Sequence, residues 1–402
     1  MSTFVEEPLA MVKRATARGI VIFALLFAVA SAGQAADLVV NSLQLVTHGE
    51  TDSSSGLFSA STRLYYQLDI RGGDKFSGLL RFDFLNGAIE NSLPSSIPTA
   101  TAALSPQFET AAITAKAVFG LPLDATYFVG YLDTFCSGDD FLPLFGAAPF
   151  STNLRGPMVY PNGIDNNPNR FFDGIHAANG TGFRLGTARS LSDNFQSYLY
   201  LYQDSDIGAG SWSSDLRGLM NYEHIKLEAF AGATLTPGAA DGIYRGGLMF
   251  FAAPGEVGEF FAQIGVPHWD PLGGFSINDV YFLFEPRINF GFGNLALTVF
   301  YHPAWYRQQP TNEADALDAA LNLRFGRIAQ DGAQGGLEGL LEFRPLTTDP
   351  TAIPRLSVIA SPYYSAIAGG IEWDFKLGLQ LFPVPTAWYG IFEPFIGLKT
   401  SF

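Results

Sequence analysis

The sequence predicts an all-β fold, a single transmembrane antiparallel up-and-down barrel of about eighteen strands, with roughly sixteen as the alternative. Three observations lead there. Apolar and polar residues alternate with period two in segment after segment. The connections between those segments alternate between short and long. Past residue 35, no stretch holds the roughly 20 consecutive apolar residues of a membrane helix, although only 15% of the 402 residues are charged. Soluble domains carry nearer a quarter charged residues, about 25%.

The alternation is clearest over 57–71. One face reads Phe58, Ala60, Thr62, Leu64, Tyr66, Leu68, Ile70, and the other Ser59, Ser61, Arg63, Tyr65, Gln67, Asp69, Arg71. Gly72-Gly73-Asp74 turns the chain, and the next segment sets Phe76, Leu80, Phe82 and Phe84 against Ser77, Arg81 and Asp83. The same pattern places Ala111, Ile113, Ala115, Ala117 and Phe119 opposite Thr110, Thr114 and Lys116, and Leu227 and Ala229 opposite Lys226 and Glu228. It recurs with Leu321 and Leu323 opposite Asn322 and Arg324, with Leu341 and Phe343 opposite Glu342 and Arg344, and with Trp373 and Phe375 opposite Glu372, Asp374 and Lys376.

Strands are expected near 38–47, 57–70, 75–86, 109–120, 124–134, 181–190, 195–203, 212–222, 225–235, 243–253, 259–267, 277–289, 294–302, 315–326, 336–344, 354–366, 369–381 and 388–402. The first strand and the Pro354 region carry the weakest signals. A barrel this wide holds water, not a packed side-chain core, and one chain builds it without a second domain.

Both ends of the chain agree with this reading. Phe402 closes an alternating strand whose parity runs Phe402, Thr400, Leu398, Ile396. That ending resembles the C-terminal assembly signal of Gram-negative outer-membrane β-barrels, with Thr400 departing from the usual aromatic or aliphatic residue. At the other end, Lys13, Arg14 and Arg18 precede an apolar run over 19–30 and small residues through Ala35. Basic, apolar and small in that order is a secretory signal peptide over 1–35. Ala30-Ser-Ala32 is a competing cleavage site, and the acidic Glu6 and Glu7 make Met11 the expected true start. The barrel then spans 36–402.

The resemblance, which is porin-like, implies short periplasmic turns, longer external loops and a third external loop folded into the lumen. The connection near 135–180 is the third long one and far exceeds the rest. It is rich in aromatics (Phe141, Phe145, Phe150, Phe171, Phe172), which seek burial. It is expected to narrow the pore, the alternative being an external lid. Asp139, Asp140, Arg155, Asp165, Arg170 and Asp173 are its candidate constriction residues.

The polar parity supplies the expected lumen wall: Arg63, Arg81, Asp83, Lys116, Arg184, Glu228, Arg324, Glu342, Arg344, Glu372 and Asp374, with Asp69, Lys226, Glu285, Arg287, Glu338 and Lys376 beside them. A lysine or arginine facing lipid at mid-depth costs about 2–4 kcal/mol, which sets the direction of these side chains. Most of them read as solvated or mutually paired wall. Tyr198, Tyr200 and Tyr202 share one parity, either a lumenal aromatic track suited to sugar rings or packed wall and girdle residues. Trp212, Trp269, Trp305 and Trp388 sit near strand ends, as interfacial anchors do.

The net charge of −15 disfavours nucleic acid and tilts an aqueous pore toward cations. One cysteine, Cys136, allows no internal disulfide. His268 with Asp270, and His302, could form a hydrolase dyad at a barrel rim, but no hydrolase motif surrounds them. The chain therefore reads as no enzyme. It needs no cofactor, and no Cys/His spacing suits a metal. The expected function is passive diffusion of small hydrophilic solutes or ions across the outer membrane, leaning to cations. A substrate-specific transporter and a rim hydrolase are the alternatives. Expected partners are outer-membrane lipid, the barrel-assembly machinery during biogenesis and the solutes themselves, and the resemblance admits a homotrimer.

Overall fold

The computed structural model describes residues 37–51, 58–86, 105–154, 173–188, 191–238, 241–307, 317–326, 333–346, 355–385 and 388–400 of the 402. The expected signal segment with Met11 lies outside the described residues, as do Arg155, Asp165, Arg170 and Phe402.

Eighteen strands run in chain order. They are β1 (Asp37–Thr51), β2 (Phe58–Gly72), β3 (Phe76–Asn86), β4 (Ser105–Ala115), β5 (Leu123–Phe135), β6 (His176–Thr187), β7 (Phe195–Asp204), β8 (Trp212–Tyr222) and β9 (Ile225–Leu235). The second half is β10 (Ile243–Ala252), β11 (Gly258–Trp269), β12 (Tyr281–Phe290), β13 (Gly293–Tyr301), β14 (Leu317–Phe325), β15 (Gln334–Leu346), β16 (Arg355–Ala368), β17 (Ile371–Phe382) and β18 (Phe392–Thr400). Two short helices, α1 (Phe141–Phe145) and α2 (Ala304–Arg307), lie in the β5–β6 and β13–β14 connections. Every strand pairs antiparallel with the next, and β1 pairs with β18 as well as β2, Leu43 opposite Thr400 and His48 opposite Phe395. The sheet therefore closes, which leaves no free edge. Eighteen, not sixteen, is the strand number, and the closed all-β architecture is the one the outer-membrane barrel resemblance implies.

Local chemistry fixes the turns. Gly369 and Gly370 take φ of 63° and 79°, so the β16–β17 hairpin has two positive-φ central residues, the primed geometry that matches strand twist. Elsewhere turn chemistry moves the expected boundaries. Ala117 and Phe119 adopt φ of 50° and 56°, outside the strand region, so β4 ends at Ala115. Lys116 is consequently an exposed turn residue, its backbone N–H donating to the Lys75 carbonyl at 2.8 Å, and it does not face the lumen as its parity suggested. A capping box between Ser276 and Asp279 holds a 3-10 turn and delays β12 to Tyr281. β6 begins at His176, five residues before its expected start near 181, because the β5–β6 pairing extends to Phe135 opposite His176.

The two faces of the wall are inverted relative to a soluble protein. Buried positions on successive strands include Gln196, Asp215, Arg217, Glu228, Arg245, Gln263, Glu285, Asn322, Arg324, Glu338 and Asp374. Positions of the opposite parity on the strands, facing outward, include Leu199, Leu201, Leu216, Leu248, Ile264, Phe284, Leu297, Leu321, Leu341, Phe375 and Ile396, all exposed. Polar inside and apolar outside is the pattern of a wall that spans a bilayer. Trp212 and Trp388 are among the most exposed of the outer aromatics, Trp212 at the start of β8 and Trp388 in the 3-10 turn that precedes β18.

Candidate functional site

The interior of the barrel divides into two unlike halves. Across β5–β13 the inward positions carry large side chains: Phe128, Tyr198, Tyr200, Tyr202, Phe230, Met249, Phe251, Phe261, Tyr281 and Phe300, all buried in one cluster. Glycines on β6 make room for the tyrosines. A Cβ at Gly182 would collide with Tyr202, and one at Gly186 would lie 2.5 Å from the Tyr198 ring. The tyrosine parity does face inward, but the rings are committed. Tyr200 donates to Asp133 at 2.7 Å and Tyr202 to Asp215 at 2.8 Å, so these are packed wall residues and not an open track.

Into this half fits the connection after β5, described for 136–154 and 173–175. Phe141, Phe150 and Ile175 join the buried cluster, and Phe150 stacks on Phe251 with centroids 4.4 Å apart. Two wall glutamates hold the segment at its ends. Glu228 on β9 accepts from the Cys136 backbone N–H at 2.5 Å and from Arg217 Nε at 2.7 Å. Glu285 on β12 accepts from Thr152 Oγ1 at 2.8 Å, from the Asn153 backbone N–H at 2.9 Å and from Thr298 Oγ1 at 2.5 Å. Gln263 donates to the Cys136 carbonyl at 2.5 Å, and Arg287 donates to the Ser151 carbonyl. Tyr306 of α2 donates to the Ile175 carbonyl at 2.5 Å, pinning the return to β6. Burial pushes the Cys136 thiol well above its usual range, with the nearby Glu228 carboxylate adding to the effect.

Several charges on this side are paired within the wall. Arg245 is bidentate on Asp215 at 2.6 and 2.9 Å and also donates to Thr234 at 2.6 Å. His176 sits 3.1 Å from the Tyr202 hydroxyl and stacks on Phe230. Arg184 pairs with Asp133 at 2.6 Å and lies over the Tyr198 ring. Asp133 owes its inward direction to a bulge: the β5–β6 register shifts between Tyr131 and Thr134, next to Gly130 at φ 90°. Strict alternation would have sent that carboxylate toward lipid, which is why parity alone misses it.

The opposite half, β14–β18 with β1–β3, is polar, and among the described residues it carries fewer large buried apolar side chains. Glu338 accepts from Arg324 at 2.8 and 3.0 Å and from Lys376 at 2.5 Å. Arg63 pairs with Asp83 at 2.6 Å, and Arg81 donates to Gln67 at 3.3 Å. Asp374 is fully buried opposite Ser365 and Gly397, while Glu372 is half-buried opposite Lys399. Val46, Tyr363 and Phe395 form a small apolar cluster here. Arg344 pairs in backbone register with Arg355, its side chain lying outside the described atoms. On β18, Leu398 pairs with Trp373 and Ile396 with Phe375.

Two cavities meet at the edge of the inward segment. One, about 170 Å³, lies between Asn153 and Leu154 on the segment and His48, Asn322, Glu338, Glu342, Lys376 and Glu393 on the wall. The other, about 580 Å³, lies between 145–153 and the wall around Lys226, Phe251, Arg287 and Arg324. Asn153 lines both, and Arg324 of the larger is bonded to Glu338 of the smaller.

The expected constriction residues fall differently from one another. Asp140 is turned to the wall, 2.7 Å from Arg217. Asp139 is exposed and Asp173 half-buried, whereas the segment's edge at both cavities is the neutral Asn153. Asp215, Arg217 and Arg245 were missed, although Ser213, Asp215 and Arg217 alternate legibly with Ser214, Leu216 and Gly218. His268 stacks on Trp305 at 4.2 Å and His302 packs edge-on against Phe300 at 4.2 Å, each held by an aromatic ring. Among the described residues, no cluster of three or more His, Cys, Asp or Glu suits a metal ion.

No protein-family model matches the chain, and no curated protein matches it. Among solved structures it is similar to a mutant of the Rh. blastica porin, with a TM-score of 0.47 and 10% identity over 91% of this chain and 100% of that one. It is also similar to Salmonella typhi OmpF in complex with daunomycin, with a TM-score of 0.43 and 9% identity over 91% of this chain and 97% of the other. The architecture rests on the strand pairings and not on these likenesses.

Proposed function

We propose that the chain is a porin-like channel of the bacterial outer membrane, through which small hydrophilic solutes and ions diffuse passively. The observation that carries the reading is the asymmetry of the lumen. The segment after β5 is packed against β8–β13, and among the described residues a space of about 170 Å³ lies between Asn153 and the polar wall of β14–β18 and β1. A solute passing there exchanges bulk water for wall side chains and water, and its charge decides how favourable that exchange is.

The passage leans to cations. Its lining carries three carboxylates, Glu338, Glu342 and Glu393, against one ammonium, Lys376. The same reading includes export by the N-terminal signal, insertion by the barrel-assembly machinery and a homotrimeric state. Single-channel recording of the refolded protein in a planar bilayer under a salt gradient tests it. Stepwise conductance with cation preference is the expected result, and a folded barrel that passes no current would sink the reading.

A further inference from the structure

We propose that the larger cavity is a binding subsite for a small carboxylate that carries an apolar, ring-sized body. The anchor is Lys226 on β9. The residue as a whole is only 7% exposed, and it lines the cavity. Among the described residues it forms no ion pair, and its recorded partner is the face of Phe251, with Nζ 5.5 Å from the ring centroid. Every other cation of the lining is occupied. Arg287 pairs with Glu285 at 2.5 Å and Glu259 at 3.3 Å, and Arg324 pairs with Glu338 at 2.8 Å. The acids of the lining are engaged elsewhere too. Glu259 holds Arg287 and Asn289, and Glu223 is 86% exposed at the β8–β9 turn. An ammonium on the cavity wall faced by a ring and no carboxylate is one charge short of a neutral site.

The remainder of the lining fixes the class of anion. Half-buried Phe145, with the buried stacked pair Phe150 and Phe251 behind it, gives an apolar lining that Ala147, Pro149 and Ala253 continue. The volume of about 580 Å³ falls within the range of small-molecule sites, ~300–1,000 Å³. A hydrated inorganic anion would leave the apolar lining unused. A monocarboxylate with a planar or branched body places its charge at Lys226 and its body on the phenylalanines. The site deepens the channel reading, because a solute reaches it through the lumen. Binding is nevertheless measurable without conduction.

The test is calorimetric titration of the folded barrel in detergent micelles with benzoate and with its neutral analogue benzamide. Benzoate is expected to bind saturably and benzamide at least about tenfold more weakly, the loss of one charge-assisted contact. Lys226→Met, which keeps the aliphatic stem, is expected to lose benzoate binding to the same extent, and Lys226→Arg to retain it. Equal binding of the two probes, no saturable benzoate binding, or full affinity in Lys226→Met would each overturn the proposal. If the methionine variant does not fold, the benzoate and benzamide comparison on the unaltered protein still decides. Conductance without benzoate binding would break this proposal alone, and benzoate binding without conductance would break the channel reading alone.

Discussion

Across β5–β13 the lumen is filled by Phe128, Tyr200, Phe230, Phe261 and Phe300, with Phe141 and Phe150 of the inward segment laid on them. Across β14–β18 the corresponding positions hold Asn322, Arg324, Glu338, Ser361 and Lys376, and among the described residues a space of about 170 Å³ lies beside Asn322, Glu338, Ser361 and Lys376. Both halves come from the same alternating strands, and both have the same apolar outer face. The difference lies wholly in the inward set. Aromatic residues there create a surface on which a loop can dry itself. Polar residues there favour water, because burying them requires every hydrogen bond to be replaced. One barrel thereby combines a packed apolar half with a polar half.

Breaking the filled half at its anchor should give the largest effect. Arg217→Met leaves Glu228 without its guanidinium and Asp140 without its partner, in surroundings where Arg217 is 1% and Glu228 0% exposed. Removing one member of a buried pair costs ~3–5 kcal/mol, so urea unfolding of the folded barrel in micelles should fall by about that much. A change under about 1 kcal/mol, the level of an exposed pair, would mean this half is not a packed core.

On the open half an equivalent deletion should hardly disturb stability. In Lys376→Gln, Glu338 keeps both Arg324 contacts and a neutral amide donor replaces the ammonium, so a stability change of about 1 kcal/mol is expected. Selectivity should respond instead. The passage loses its one ammonium, and the reversal potential under a salt gradient should move further toward cations. An unchanged reversal potential, together with a large loss of stability, would erase the distinction between the halves.

The strands themselves were legible. Alternation located all eighteen, because one face had to meet lipid and the other water, and a one-residue slip would have exchanged them. Where alternation misled, a local backbone feature had intervened. Positive φ at Ala117 took Lys116 out of the wall, and the bulge after Gly130 brought Asp133 into it. The site was less legible for a different reason. Cys136 meets Glu228, 92 residues away, and Thr152 meets Glu285, 133 residues away. No short-range pattern encodes such pairings. Loop length and aromatic content marked 135–180 as a segment seeking burial, but the wall that receives its described parts, and the neutral Asn153 at both cavities, follow only from the closed barrel.

The division of the lumen is tested most directly by thiol labelling during single-channel recording. Cys136 is buried and its thiol is held protonated, so it should not react with a charged methanethiosulfonate. Cysteines are then introduced one at a time, Glu342→Cys on the open wall and Ser213→Cys, packed between Asp204 and Thr234, on the filled one. The expected result is stepwise, irreversible loss of current in Glu342→Cys and none in Ser213→Cys. Blockade of Ser213→Cys, or its absence in Glu342→Cys, would contradict a lumen with one packed half and one aqueous half.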